Sequence, residues 1–179
     1  MANTNNLRTP PQNIDAERAL LGSIMLRPVA IIDIADTVTE DDLYVQKHKV
    51  IFRSMLDLAR VGDPIDLVSV SDKLKSLNLL EQAGGISYLN EVANTVPSST
   101  NIEYYAKTVT TKSLLRQLIT AGDFVSQLGF EEGEEIETVL DQAEKKIFEI
   151  TSNPTNAQKF MSIKEILPAV WEKLEKLSE

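Results

Sequence analysis

Residues Thr100–Ile150, TNIEYYAKTVTTKSLLRQLITAGDFVSQLGFEEGEEIETVLDQAEKKIFEI, contain two apolar stripes of the same form around an acidic break. Apolar residues recur at spacings of 4, 3, 4 and 3 in each half: Leu114, Leu118, Ala121, Val125 and Leu128, then Ile136, Leu140, Ala143, Ile147 and Ile150. This spacing is typical of helices that pack along one another. The intervening residues 129–134 carry two glycines and three acids, which favours a turn. We therefore predict a long antiparallel αα-hairpin whose two stripes face each other.

Each predicted hairpin helix also carries apolar residues outside its stripe: Leu115 and Ile119 on the first helix, Val139 and Phe148 on the second. A hairpin buries one face of each helix, so these residues need a second partner. Two interpretations are open. The residues either pack on the head or form a surface for another copy or a different protein.

The sequence before the hairpin predicts further short helices. The N-cap Asn13 precedes a helix over 14–26, and Pro28 opens one that extends to about residue 35. A helix over 46–61 is expected to stop at Gly62, and Asp66 caps another over 67–77. A last one covers 86–95, and Thr100 with Glu103 is expected to cap the hairpin. The expected fold is all-α: a disordered tail (1–13), a compact helical head (14–97), the hairpin (98–151), a flexible linker (152–161) and a separate linker helix (162–179).

The last segment has an apolar side of its own. Trp171 is the only tryptophan of the chain, and Pro168 is expected to kink the helix or delay its start. A lone helix of this length is marginal in water. We therefore expect it to dock onto a partner through Ile163, Ile166, Leu167, Val170, Trp171 and Leu174.

Composition excludes several function classes. The 179 residues include no cysteine, so neither disulfides nor a thiolate zinc site is possible. No run of 18 apolar residues occurs, and we expect a cytoplasmic protein without a membrane span. The net charge of −9 disfavours direct DNA binding.

Motifs for catalysis are also missing from the sequence. No GxxxxGK[ST] phosphate loop occurs, and the only histidine, His48, is expected to be solvated on a surface helix. We predict no catalytic, cofactor or metal site in this chain.

Several stretches, taken in order, resemble the N-terminal part of bacterial replicative DNA helicases of the DnaB type. They are residues 10–17 (PPQNIDAE) with 20–22 (LLG), 42–44 (DLY) and His48, 62–68 (GDPIDLV), 84–89 (GGISYL), 96–97 (VP), 101–106 (NIEYYA), 140–144 (LDQAE) and 147–150 (IFEI). The segment 160–177 resembles the helix that precedes the family's ATPase domain.

The resemblance implies a function that the residue pattern alone does not. Full-length members are hexameric, ATP-driven 5′–3′ helicases of the replication fork, with ATP and Mg²⁺ held by a C-terminal motor domain that this sequence does not contain. Their N-terminal domains form a collar, a trimer of dimers in which hairpins pair between subunits, which suits Leu115, Ile119, Val139 and Phe148. The collar receives the C-terminal domain of primase, for which Asp15, Tyr88, Ile119 and Val125 are candidates by position.

The resemblance also implies that helicase loaders act on the same assembly, and that the linker helix docks onto the ATPase domain of a neighbouring subunit. Our first hypothesis is therefore a self-associating collar module of the primosome that recruits primase, without enzyme activity of its own. The alternatives are a stand-alone helical DNA-binding module, with the helix over 67–77 as recognition helix, and an enzyme of another type.

Overall fold

The computed structural model describes residues 9–95, 101–131 and 133–151, and every regular element among them is helical. Seven α-helices follow in order: α1 (Ile14–Leu26), α2 (Ala30–Ile34), α3 (Gln46–Val61), α4 (Leu67–Ser76), α5 (Gly85–Ala93), α6 (Ile102–Leu128) and α7 (Ile136–Thr151). A 3₁₀ turn, Glu40–Asp42, precedes α3. The predicted all-α fold is confirmed, while the predicted linker, linker helix and Thr100 cap lie outside the described residues.

Local capping signals place the helix boundaries of the head. The amide of Ala16 donates to Asn13 Oδ1 at 3.0 Å, and α1 begins one residue after Asn13. The amide of Ser69 donates to Asp66 Oδ1 at 2.8 Å and lowers the pKa of that carboxyl group. Gly62 ends α3 with a φ of 77°, a left-handed conformation that glycine adopts without a steric cost. These three caps agree with the predictions from sequence.

The head is built around α1. Its residues Leu20, Leu21 and Ile24 are fully buried, and α1 packs against α3, α5 and the first half of α6. The same cluster takes in Phe52 and Met55 of α3, together with Leu89 of α5. Of the described helices, none is both long and apolar enough to cross a membrane.

The helix α6 contacts the head with its first half and α7 with its second half. Its 27 residues extend for about 40 Å. Ile102, Ala106 and Val109 in its first half are buried in the head core, and its second half pairs with α7. Arg116 marks the transition, because its guanidinium donates to the backbone oxygens of Pro11 at 2.9 Å and Asp42 at 2.5 Å. These bonds hold the hairpin against the head.

The predicted packing of the hairpin is partly wrong. The side of α7 with the lower exposure carries Val139, Ala143, Lys146 and Ile150. Ile136, Leu140 and Ile147, which were predicted to face α6, are instead 64%, 60% and 43% exposed. The stripe on α6 is also split, because Ala121 and Leu128 are buried whereas Leu118 is 43% exposed.

A lysine explains the different register on α7. Lys146 lies in the inner row, and its Nζ is 5.7 Å from the centre of the Phe124 ring of α6. A lysine side chain can cover apolar surface with its methylene groups while its ammonium group interacts with an aromatic face. The inner row therefore includes a lysine that the sequence pattern assigns to solvent, and a neighbouring row with more isoleucine and leucine is exposed.

Candidate protein-interaction site

The second half of α6 presents a row of apolar side chains to solvent. Leu115 is 41% exposed, Leu118 43% and Ile119 51%. Gly122 and Val125 continue this row at helical spacing, and both line a surface groove. The exposed row begins directly beside Arg116, which ties α6 to the head, so the head determines the direction in which the row points.

The outer side of α7 supplies the other half of the apolar surface. Leu140 is 60% exposed, Ile147 43% and Phe148 65%. These side chains border a groove of about 680 Å³ between the two hairpin helices, which is lined by Gly122, Val125, Leu140, Ala143, Glu144, Ile147, Phe148 and Thr151. We call the exposed residues Leu115, Leu118, Ile119, Leu140, Ile147 and Phe148, together with this groove, the hairpin face.

The exposure of the residues outside the stripes bears on one of the two sequence-based interpretations. Leu115, Ile119 and Phe148 are 41%, 51% and 65% exposed, so in the described part of the chain they do not pack on the head. Val139 differs from them, because it is half-buried on the inner side of α7. Sequence reasoning missed Leu118, Leu140 and Ile147 as surface residues because it assigned them to the interior of the hairpin.

Acidic residues dominate the charge of the hairpin. Residues 114–151 include nine acidic and three basic side chains, a net charge of −6. Glu144 lines the groove itself. Nucleic-acid affinity depends on cationic contacts to phosphate, so the apolar and acidic character of this surface favours a protein partner.

The head contains a buried polar network that connects α1, α3 and α5. Glu17 is 2% exposed, and its carboxyl group accepts from the amides of Tyr44 at 2.7 Å and Val45 at 3.3 Å. His48 Nδ1 lies 2.7 Å from Glu17 Oε2, and His48 Nε2 lies 2.6 Å from the Tyr88 hydroxyl. The prediction of a solvated His48 is therefore wrong, since the side chain is fully buried.

Tyr88 belongs both to this network and to the surface of the head. The hydroxyl of Tyr88 lies within hydrogen-bond distance of His48 Nε2, and burial raises the pKa of this hydroxyl. The ammonium group of Lys47 lies 3.3 Å from the centre of the half-buried Tyr88 ring, a cation–π contact. The network fixes the hydroxyl end of Tyr88, while its ring and Lys47 form part of the outer surface.

The candidate primase contacts fall into two groups in the structure. Ile119 and Val125 belong to the hairpin face. Asp15 is exposed in the first turn of α1, and Tyr88 lies on α5, so both belong to the head. The candidate docking residues of the linker helix, 163–174, lie outside the described residues. Across the described ranges, no group of three or more His, Cys, Asp or Glu side chains is placed to hold a metal ion.

The sequence of this chain matches a known protein family. Residues 9–111 match the model of the DnaB-like helicase N-terminal domain. The replicative DNA helicase DnaC of Bacillus subtilis is 44% identical over 172 residues, which make up 96% of this chain and 38% of that protein. The chain therefore spans well under half the length of this curated relative.

Two solved structures are similar to the fold. The N-terminal domain of the DnaB helicase from Mycobacterium tuberculosis is 37% identical, with a TM-score of 0.75 over 79% of this chain and 99% of that one. A DnaB-like replicative helicase, described together with its interactions with primase, is 26% identical, with a TM-score of 0.65. That comparison covers 91% of this chain and 35% of the larger helicase.

Proposed function

Because this chain belongs to the family of DnaB-like helicase N-terminal domains, we propose that it is an assembly and docking module of a replicative helicase. The hairpin face is the observation that carries the proposal. Six large apolar side chains on two adjacent helices are between 41% and 65% exposed, and a groove runs beside them. Covering such a surface contributes roughly 25 cal/mol per Å² before the costs of association are subtracted.

One occupant of the hairpin face in this proposal is a second copy of the chain. Leu115, Ile119 and Phe148 provide exposed apolar anchors, and Val139 contributes only at the edge because it is half-buried. Hairpins that pair in this way yield a dimer. Three dimers then build the collar of the hexameric full-length helicase.

The other proposed occupant is the C-terminal domain of primase. The similar DnaB-like helicase whose structure is described together with its interactions with primase supports this partner class. Ile119 and Val125 would contribute apolar contacts from the hairpin, and Asp15 and the ring of Tyr88 would contribute contacts from the head. A helicase loader would act on the same assembly, and the acidic hairpin leaves little direct role for DNA.

The remaining parts of the proposal concern the whole helicase. ATP and Mg²⁺ would be bound by its motor domain, because the present sequence contains no GxxxxGK[ST] loop. The linker-helix residues Ile163, Ile166, Leu167, Val170, Trp171 and Leu174 would dock onto the ATPase domain of a neighbouring subunit. Such a helicase would work at the replication fork in the bacterial cytoplasm.

Replacement of Ile119 by aspartate tests the proposed surface. We expect Ile119→Asp to weaken self-association at least about tenfold, because a charge must then be buried or left facing an apolar partner. The molar mass from light scattering over a dilution series measures the association. The helical circular dichroism signal and the thermal unfolding of the head should remain unchanged, because Ile119 is 51% exposed.

The matched control is Ile32→Asp, which places the same charge on α2 at a residue that is 71% exposed. This control should associate as the wild type does. Equal weakening in both variants would argue for a general charge effect, and loss of the helical signal in Ile119→Asp would make that residue part of the core.

A further inference from the structure

The proposed assembly assigns no role to the buried histidine of the head. His48 lies in the first turn of α3, is fully buried, and has a partner at each of its ring nitrogens. The partners are Glu17 of α1 and Tyr88 of α5. Of these three side chains only Tyr88 reaches the surface of the head. A change at His48 can therefore be felt at the surface through Tyr88.

We propose that Glu17 and His48 are positioning residues for the contact between the head and its partner. They act through Tyr88, because the hydrogen bond at its hydroxyl group holds its ring in one orientation at the surface. This inference rests on the proposed function, in which the ring of Tyr88 contributes to docking. Glu17 and His48 would not touch the partner themselves, because they are 2% and 0% exposed.

Glu17 determines which nitrogen of His48 carries the proton. The carboxyl group of Glu17 accepts hydrogen bonds from the backbone amides of Tyr44 and Val45. Since a carboxylate only accepts, its contact with His48 Nδ1 at 2.7 Å requires the proton on that nitrogen. Nε2 of the neutral ring then has a free lone pair. The Tyr88 hydroxyl, 2.6 Å away, is the group that can donate to it.

The relative orientation of the two rings makes this hydrogen bond sensitive to rotation of the Tyr88 ring. The ring planes of His48 and Tyr88 differ by 10°, and the ring centres are 5.9 Å apart. The lone pair of an imidazole nitrogen lies in the plane of its ring, and a phenol hydrogen prefers the plane of the phenol ring. Nearly parallel planes allow both preferences, and rotation of the Tyr88 ring would break one of them.

Two further contacts confine the ring of Tyr88. Gly84 has a φ of 92°, and a Cβ atom at this position would lie 2.9 Å from Cβ and 3.0 Å from Cγ of Tyr88. The ammonium group of Lys47 lies 3.3 Å from the ring centre. Lys47 and His48 are consecutive residues, so the first turn of α3 supplies both the contact with the hydroxyl group and the contact with the ring face.

The methylene protons beside the Lys47 ammonium group report the orientation of the ring in the complete chain without any partner. An aromatic ring current shifts protons above the ring face upfield. We therefore expect the ε-methylene protons of Lys47 to resonate upfield of their position in the urea-unfolded chain. Tyr88→Phe keeps the ring but loses the hydroxyl group, and should reduce this upfield shift by at least about half.

The matched control is Tyr104→Phe, which removes the same group from a side chain that is 68% exposed. This control should leave the Lys47 shift as it is in the wild type. An unchanged Lys47 shift in Tyr88→Phe would show that packing alone orients the ring, and would overturn the inference.

Titration with the C-terminal domain of the cognate primase tests whether this orientation matters for docking. We expect His48→Leu and Tyr88→Phe each to weaken binding about tenfold, and the double variant to bind no more weakly than either single variant. The effects should not multiply, because both substitutions remove the same hydrogen bond. Multiplied effects would mean that His48 acts by stabilising the head in general, and would overturn the inference.

Rescue by a conservative variant gives a second comparison. The amide of His48→Gln can both donate to Glu17 and accept from Tyr88, so this variant should recover most of the binding that His48→Leu loses. If His48→Leu does not fold, the binding of Tyr88→Phe against that of Tyr104→Phe decides, because both keep the buried histidine. Equal binding by these two variants would overturn the inference.

The two measurements separate this inference from the proposed function. A wild-type chain that shows the expected Lys47 shift but does not bind primase would contradict primase as the partner, while the positioning of the Tyr88 ring would be supported. Binding by the wild type that neither His48→Leu nor Tyr88→Phe weakens would overturn the inference and leave the proposed function standing.

Discussion

Replacing Glu17 with alanine is expected to lower the free energy of unfolding by about 3 kcal/mol, the largest loss of stability that a polar substitution in the head should cause. Glu17 is 2% exposed and accepts hydrogen bonds from the amides of Tyr44 and Val45 and from His48 Nδ1. The variant leaves these three donors without their acceptor, at a site where His48 is fully buried and the two amides are partly buried. Unmade buried hydrogen bonds are costly because the groups have lost their hydration without compensation.

The matched control for this prediction is Glu91→Ala. Glu91 pairs with Arg18 at 2.7 Å, but its side chain is 55% exposed, and the pair should contribute less than about 1 kcal/mol. Urea unfolding followed by circular dichroism measures both variants. A Glu17 variant that loses no more stability than the Glu91 variant would show that water replaces the network, and that it does not hold α1, α3 and α5 together.

The second large effect concerns self-association. The double variant Leu140→Asp with Ile147→Asp should weaken dimer formation about 100-fold or more, because each aspartate introduces a charge into the proposed apolar contact. The stability of the single chain should change by less than about 1 kcal/mol, since the side chains are 60% and 43% exposed. Sedimentation equilibrium measures the association, and thermal unfolding at low concentration measures the stability.

A control variant carries the same added charge on the other side of α7. Thr138 and Lys145 are both exposed, and Thr138→Asp with Lys145→Gln also makes the hairpin more negative by two units. This control should associate like the wild type apart from a small effect of long-range repulsion that salt screens. If the Leu140 and Ile147 variant instead unfolds the hairpin, those residues are interior and the sequence-based register is right.

Features set by neighbouring residues could be predicted from sequence. The caps at Asn13 and Asp66 and the left-handed Gly62 depend on contacts within a few residues, and the structure has all three where the sequence places them. The helix α3 likewise spans the predicted residues 46–61. The family resemblance could also be recognised from the sequence, because the family's motifs occur in order along most of the chain.

Features set by distant residues could not be predicted in the same way. His48 is buried because Glu17 lies 31 residues earlier and Tyr88 lies 40 residues later in the chain. No local pattern around a single histidine indicates such partners. The register of the hairpin failed for a related reason, since Lys146 contributes to the inner face through its contact with Phe124.

We expect the hairpin face to bind a protein partner without the help of a motor domain. Calorimetric titration of the chain with the C-terminal domain of the cognate primase, with light scattering on the same samples, measures this binding. We expect saturable binding by a self-associating chain, and at least about tenfold weaker binding by Ile119→Asp with no change in unfolding. Absence of binding by the wild type, or equal binding by Ile119→Asp, would show that primase does not dock on the hairpin face.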